Sequence, residues 1–520
     1  MDVTAGTRAG RREWLALGVL ALPTAVLSMD LTALHLAAPS ISADLAPSAA
    51  QLLWILDVYG FVMAGFLLVM GSVGDRVGRR RLLLIGAAAF VVASVLASLA
   101  TTAEALIAAR ALLGLAGATL MPSTLALLAD TFTVPAQRAF AIAFWMVAFT
   151  AGEAMGPVVG GVLLEFFWWG SVFLVAVPVM VLLLILGPFL LPESSRDLSG
   201  RFDLGGAVLL LVGLLSFVHG IKQVATDGVA WSAAAWVAAG PALGIVFVRR
   251  QLRSRDPLMD LRLFGRFAFS AGLGAQMLAV AAVAGTQLLV MQYLQATLGL
   301  TPLHAGLWTV PSVLLGIGAT LLAPVLARRV RPAAVVAVGL GTAAIGAAVV
   351  TVTAPAMSLA WTVVGFTVLY VGVTPTLALT TDLIVGAAPP ERAGTASGVA
   401  ESGAELGLAL GIALIGTAAM ARYRTLVVRD APAEVAGPVV EDAGRTVGGG
   451  LAAAEGLPVD AGVAMLETVR SSFAGAVQLA AALSAMVLVV GAGLAVGLLR
   501  GERRGTPSTP DSPEPADELR

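Results

Sequence analysis

Polar residues along this chain are sparse punctuation between long apolar runs, of which Leu82–Leu99 and Val172–Leu191 are examples. The apolar positions form continuous stretches rather than a stripe of helical period. A stretch of about 18 or more such residues crosses a hydrocarbon core of roughly 30 Å as a helix. The pattern predicts fourteen helices. They fall at 14–38, 51–73, 82–100, 104–128, 139–164, 169–191, 203–221, 232–249, 267–292, 303–326, 333–353, 358–382, 395–420 and 471–499. The class this implies is an all-α integral membrane protein.

The polar punctuation has a sidedness. Alternate short loops (74–81, 129–138, 192–202, 250–266, 327–332 and 383–394) hold sixteen Lys or Arg, and the intervening ones hold only Lys222. Basic residues concentrate in loops left in the cytoplasm. Both termini of this multi-pass chain are therefore expected on the cytoplasmic face of a cell membrane. Segment 421–469 runs against the trend, with Arg422, Arg424, Arg429 and Arg445. Its Gly, Ala, Pro and acid content predicts a loosely ordered external loop. Residues 501–520, rich in Pro, Ser and acids, are expected to form a disordered cytoplasmic tail.

A trace of repetition divides the chain. Arg328-Arg329-Val330-Arg331 follows the tenth helix much as Arg76–Arg81 follows the second. Six helices (1–196), two inserted helices with a basic linker (197–262) and six more (263–500) are expected. Repeated halves with a substrate site between them are one transporter architecture.

Composition narrows the chemistry. Only 12% of residues are charged and 58% are hydrophobic, about half the charged fraction usual for a soluble domain. A net charge of −1 gives no reason to expect nucleic acid, and the absence of cysteine excludes disulfides and thiolate sites. His35, His219 and His304 lie too far apart for metal-ligand spacing, and no metal is expected. Arg8, Arg11 and Arg12 precede an apolar run too long for a cleavable signal, so that run reads as the first transmembrane helix.

Three segments carry more than hydropathy. Gly71-Ser-Val-Gly-Asp75-Arg76-Val-Gly78-Arg79-Arg80-Arg81 is a tight glycine turn with an acid at its start and a guanidinium cluster behind it. Arg110, in Arg110-Ala-Leu-Leu-Gly114, is an arginine inside the fourth helix, where it needs a partner or a cavity. Gly152-Glu153-Ala-Met-Gly156-Pro157-Val-Val-Gly160-Gly161 places small residues four apart, the spacing that lets helices approach closely. These strings resemble the cytoplasmic loop, fourth-helix and antiporter signatures of the major facilitator superfamily. Leu113 stands where the fourth-helix signature usually has a polar residue. With Asp30 in Met29-Asp30-Leu31-Thr32 and the thirteenth-helix segment Gly394-Thr-Ala-Ser-Gly398, the branch resembled is the fourteen-helix drug:proton antiporters of the QacA/SmvA quaternary-ammonium exporter type. The resemblance implies two six-helix bundles with two inserted central helices. It also implies a charge latch at Gly71, Asp75, Arg76, Gly78, Arg79 and Arg80, and an arginine at 110 associated with proton coupling.

Six ionisable residues fall deep in predicted helices: Asp30, Asp57, Arg110, Glu153, Glu401 and Glu405. At ~1.5 Å per residue, Asp30, Asp57 and Arg110 sit at similar depth. The group reads either as a coupling site or as a structural Asp–Arg pair. Glu401 and Glu405 share a helix face, where mutual repulsion and desolvation favour protonation, unless one of them is solvated in a vestibule. Trp54, Tyr59, Phe61, Trp145 and Phe149 are candidate cavity aromatics, able to attract an organic cation through their ring faces.

The expected function is proton-coupled export of lipophilic cations or amphipathic drugs, driven by the proton gradient without a cofactor, by a monomer in the lipid bilayer. An alternative is a dedicated exporter of one natural product or metabolite. A membrane enzyme or receptor is the remote alternative, because neither a metal-binding pair nor a nucleotide-binding loop is present.

Overall fold

The computed structural model describes residues 9–47, 49–193, 203–227, 230–254, 261–389 and 392–502. Among them all regular structure is helical. The first group comprises α1 (Arg11–Leu45), α2 (Ala49–Val77), α3 (Arg79–Ser98), α4 (Ala103–Thr131), α5 (Pro135–Phe166), α6 (Ser171–Leu174) and α7 (Ala176–Leu190). Next comes the pair α8 (Leu204–Asp227) and α9 (Trp231–Arg253). The second group begins with α10 (Phe267–Gln292), α11 (Pro302–Ala327), α12 (Pro332–Thr353), α13 (Leu359–Ala387) and α14 (Ala393–Leu410). It ends with α15 (Thr417–Asp430), α16 (Gly437–Ala443), α17 (Val447–Glu455) and α18 (Val459–Glu502).

Thirteen helices are long and apolar enough to cross a membrane among the described residues. At the seventh expected span, the described apolar stretch of α8 is Leu204–Phe217. The sixth expected helix is interrupted at Val175. Pro178 withdraws the N–H that the Leu174 carbonyl would accept.

Each group packs around its own core. Leu20, Tyr59, Phe90, Leu113, Trp145 and Phe173 belong to the first, while Ala279, Leu340, Val373 and Leu488 centre the second. Contacts repeat between the groups: α1 lies on α5 as α10 lies on α14, and α2 lies on α4 as α11 lies on α13. Across the seam, α2 meets α14 and α5 meets α11. The inserted pair docks on α2 and α14.

Segment 421–469 is not a loose loop. It folds into the end of α15, then α16, α17 and the start of α18. Tyr423, Val427, Val440, Met465, Val469 and Phe473 form a core with Tyr293 and Leu294 of the second group. The residues that suggested disorder act as terminators instead. Pro438 occupies the first turn of α16, and the Thr446 side chain accepts the Gly449 N–H at the start of α17.

Candidate functional site

At the centre of the first group, Arg110 donates Nη1 to Asp30 Oδ2 and Nε to the Ile55 carbonyl at 3.2 Å. The guanidinium lies over the Tyr59 ring, 4.7 Å from its centroid, and 5.9 Å from that of Phe173. Both charges are buried, Arg110 being 1% and Asp30 7% exposed. The glycine one turn after Arg110 explains the spacing. A side chain at Gly114 would strike the Tyr59 carbonyl, so α4 and α2 close only because that position is bare.

The string on α5 holds Asp30 in place from the other side. Bare positions at Gly152, Gly156 and Gly160 seat α5 on Ala25, Met29 and Ala33 of α1, while Gly161 faces nothing within 4 Å. Ser28 Oγ donates to the Phe149 carbonyl at 2.7 Å, and Thr32 Oγ1 donates to the Glu153 carbonyl at 3.0 Å. The second bond answers Pro157, whose missing N–H would otherwise leave the Glu153 carbonyl orphaned in a membrane helix. The α1 residues on either side of Asp30 thus bind the α5 backbone.

α14 has the same construction. Gly403, Gly407 and Gly411 seat it on Leu273, Met277 and Ala281 of α10, a second ladder of bare positions four apart that none of the three motif strings includes. Gly394 and Gly398 seat its first turns on Gly71 and on Leu67–Leu68 of α2. Positions 394, 398, 401 and 405 fall on one helix face, so Glu401 and Glu405 continue the stripe that meets α2.

The helix ends rich in Arg76–Arg81, Arg138 and Arg328–Arg331 form a basic end, where the two groups are pinned together. Asp75 accepts the N–H groups of Gly394 (2.9 Å) and Thr395 (2.8 Å) and the Thr395 hydroxyl (2.9 Å). An acid of α2 thereby caps α14, whose own N-cap residue, Arg392, makes no side-chain cap bond. Arg79, 2% exposed, holds Asp75 through Nε at 3.0 Å and Asp130 through Nη1 at 2.5 Å. Gly78 makes the turn at φ 106°, a conformation suited to glycine. Arg80 pairs with Glu193 and with the Pro188 and Leu191 carbonyls. A second pin, Arg138–Asp382 at 2.8 Å, joins α5 to α13. Nothing in the spacing of residues 244 positions apart announced it.

The aromatics scatter. Tyr59 is at the ion pair, and Phe149 is half-buried beside α1. Trp145 is in the core, donating Nε1 to Thr124 at 3.1 Å, rather than at a cavity. Trp54 and Phe61 turn toward the inserted pair, forming a chain with His219 and Trp236 at ring separations of 6.1, 6.3 and 5.5 Å. α8 docks on α2 there. The side chains of Asp57 and Pro157 lie outside the described residues, as do residues 503–520. A cavity of about 550 Å³ lies beside Arg249 and Arg253, away from the embedded acids. Among the described residues, no three His, Asp or Glu gather as a metal ion would need.

Residues 20–412 match the family model described as Major Facilitator Superfamily. The chain belongs to the major facilitator superfamily. Its place in that superfamily makes it a transporter rather than an enzyme. It is similar to the multidrug efflux pump LfrA of Mycolicibacterium smegmatis, with 43% identity across 95% of this chain and 97% of that protein. The methyl viologen resistance protein SmvA of Salmonella typhimurium is 33% identical across 58% of this chain and 61% of its own length. The tetracenomycin C resistance and export protein of Streptomyces glaucescens is 30% identical across 79% and 77%. In three dimensions the major facilitator fold is shared with the human organic anion transporter MFSD10, at a TM-score of 0.60 over 93% of this chain and 99% of that one, with 17% identity.

Proposed function

We propose that the protein exports lipophilic cations or amphipathic drugs in exchange for protons, by alternating access between its two groups of helices. The observation that carries this reading is the placement of Glu401 and Glu405. Two carboxylates sit one turn apart on the α14 face that meets the first group. Such a pair holds either a proton or a cation, and mutual exclusion between the two gives exchange. Arg110 holds Asp30 in place at the centre of the first group. Relatives named as a multidrug efflux pump and a methyl viologen resistance protein support the substrate class.

On this reading the basic end faces the cytoplasm of a cell membrane, with both termini there. The pins at Asp75 and Arg138 then close the protein on that side, and a monomer suffices. The deciding test is ethidium efflux from cells expressing the protein, with and without a protonophore, for wild type, Asp30→Asn and Glu401→Gln. Efflux that survives the protonophore sinks proton coupling. Unchanged efflux in both variants sinks these residues.

A second reading, export of a single natural product, draws on the relative named for tetracenomycin C. A resistance profile confined to one compound would favour it.

A further inference from the structure

The inserted pair ends in charges that the exchange of cation for proton leaves unused. α9 packs on α8 through Ala233, Gly240, Phe247 and Gln251, which are buried on one helix face. Gly240 allows the closest approach, since a Cβ there would meet the Phe217 side chain at 2.5 Å. On the opposite face, Trp231, Ala235, Ala242, Val246, Arg249 and Arg253 are all exposed. That face is apolar for most of its length and basic at its end. The 23 residues of α9 span ~35 Å, close to the roughly 30 Å of a hydrocarbon core. Trp231 therefore stands at one membrane interface, where tryptophan is enriched. Arg249 and Arg253 stand at the headgroup level of the other.

Three guanidiniums close this helix, and one acid answers them. Asp203 Oδ1 accepts Arg250 Nε at 2.9 Å and Nη2 at 2.8 Å, and Oδ2 accepts Gln251 Nε2 at 2.8 Å. Arg249 and Arg253 make no ion pair or hydrogen bond among the described residues. Four positions apart, they share a face and repel one another. With Val246, Arg250 and Ser254 they line the cavity of about 550 Å³, inside the roughly 300–1,000 Å³ range of small-ligand sites.

The helix dipole and the sidedness of the loops account for a base at this end. They do not account for two uncompensated ones around a cavity walled by Val246 toward the membrane. An apolar stripe that runs into paired positive charges at headgroup depth matches an anionic phospholipid. An acyl chain would follow Ala242 and Val246, and the phosphate would meet Arg249 and Arg253, whose planar forks suit phosphate oxygens. A zwitterionic headgroup brings its own cation and leaves the guanidiniums uncompensated.

We propose that the end of α9 is a binding site for the phosphate of an anionic phospholipid, held by Arg249 and Arg253, which anchors the inserted pair to the leaflet at the basic end of the protein. The site does not depend on what the protein exports.

Because the chain has no cysteine, Ser254→Cys gives the full-length protein one position for a fluorescent label at the cavity. In phosphatidylcholine nanodiscs, quenching of that label is titrated with phosphatidylglycerol or with phosphatidylcholine, each carrying a nitroxide high on one acyl chain. Phosphatidylglycerol is expected to quench at a content about tenfold or more below that of phosphatidylcholine. Arg249→Gln and Arg253→Gln should each weaken it about fivefold. Arg249→Lys should weaken it less, and Arg328→Gln, in a distant basic turn, not at all. Equal quenching by the two lipids overturns the site. So does a loss at Arg328→Gln as large as that at Arg249→Gln, which would trace the preference to overall charge. If soluble glycerol phosphate abolishes the preference, the occupant is a free phosphate and the lipid site is overturned. Should one glutamine variant fail to fold, the other decides on the same criterion.

Discussion

In the first group of helices, the acid on α1 is closed on the arginine of α4, and the acid at the end of α2 is closed on Arg79. The second group shares the packing but not the pairing. Its α14 sits on α10 by the same ladder of bare positions that seats α5 on α1, yet no arginine or lysine occurs from Phe267 to Ala327 or from Pro332 to Leu410 apart from Arg392 at a helix end. A shared scaffold can thus be given two electrostatic roles. One half pairs Asp30 and Asp75 with arginines of its own helices, and the other carries Glu401 and Glu405 on a helix without arginine or lysine.

The comparison is most easily broken at Arg110. Arg110→Ala leaves Asp30 buried without its base, a loss of about 3–5 kcal/mol. Thermal unfolding in detergent should register it far more strongly than Glu401→Gln, which removes no partner. Equal destabilisation by the two would erase the distinction between the halves.

The shared ladder is the next point of attack. Gly407→Val and Gly156→Val should each cost about 1–3 kcal/mol or more from overpacking against a neighbouring helix. Gly161→Ala, facing open space, should be neutral in expression and efflux. Loss at Gly156 without loss at Gly407 would mean that only one half relies on the contact.

Smaller effects are expected at the pins. Asp75 accepts three bonds from α14, and Asp75→Asn, which keeps an acceptor oxygen but loses the charge, should cost about 1.5–3 kcal/mol. The Arg138–Asp382 pair, with side chains 23% and 16% exposed, is a single bond between charged groups, worth about 1.5–3 kcal/mol. Because the chain has no cysteine, engineered cysteine pairs across α2 and α14 report closure directly. Asp75→Asn should lower their cross-linking more than Arg138→Gln does.

The smallest effect concerns the inserted pair. Asp203 sits just before α8 and is held below the usual carboxylate range, first by the hydrogen bond from Arg250 and also by the Gly206 N–H and Gln251. A lowered folded-state value stabilises the protein above the usual carboxylate range, about pH 4, and the contribution fades as pH falls through the lowered value. Asp203→Asn should remove that acid-side slope from a thermal stability curve.

Much of this architecture is legible in the order of the residues. Run lengths locate the helices, and counting residues from each end puts Asp30 and Arg110 at one depth, where the structure joins them. Gly71–Arg81 and Gly394–Gly398 each stand out as strings. Their contact does not, because a capping bond between residues 319 positions apart leaves no local pattern. Arg138–Asp382 stays hidden for the same reason. That Trp54 and Phe61 form a ring chain with the inserted pair is hidden too, because hydropathy does not say which face of α2 the inserted helices cover. The fold of 421–469 escapes it because its helices are short, and prolines and glycines that look like disorder are their caps.

The length of α18 has a consequence of its own. Its 44 residues reach ~66 Å, about twice the hydrocarbon thickness of roughly 30 Å, so one continuous helix is immersed in two solvents. Its lipid-facing part is held by close packing, since apolar tails offer no water to escape from. Where it carries the core of Tyr423, Met465 and Phe473, ordinary water-driven burial applies. Urea and changes of temperature act on that burial. They are therefore expected to melt the cap, with a positive heat-capacity change, while the spanning helices below it stay folded.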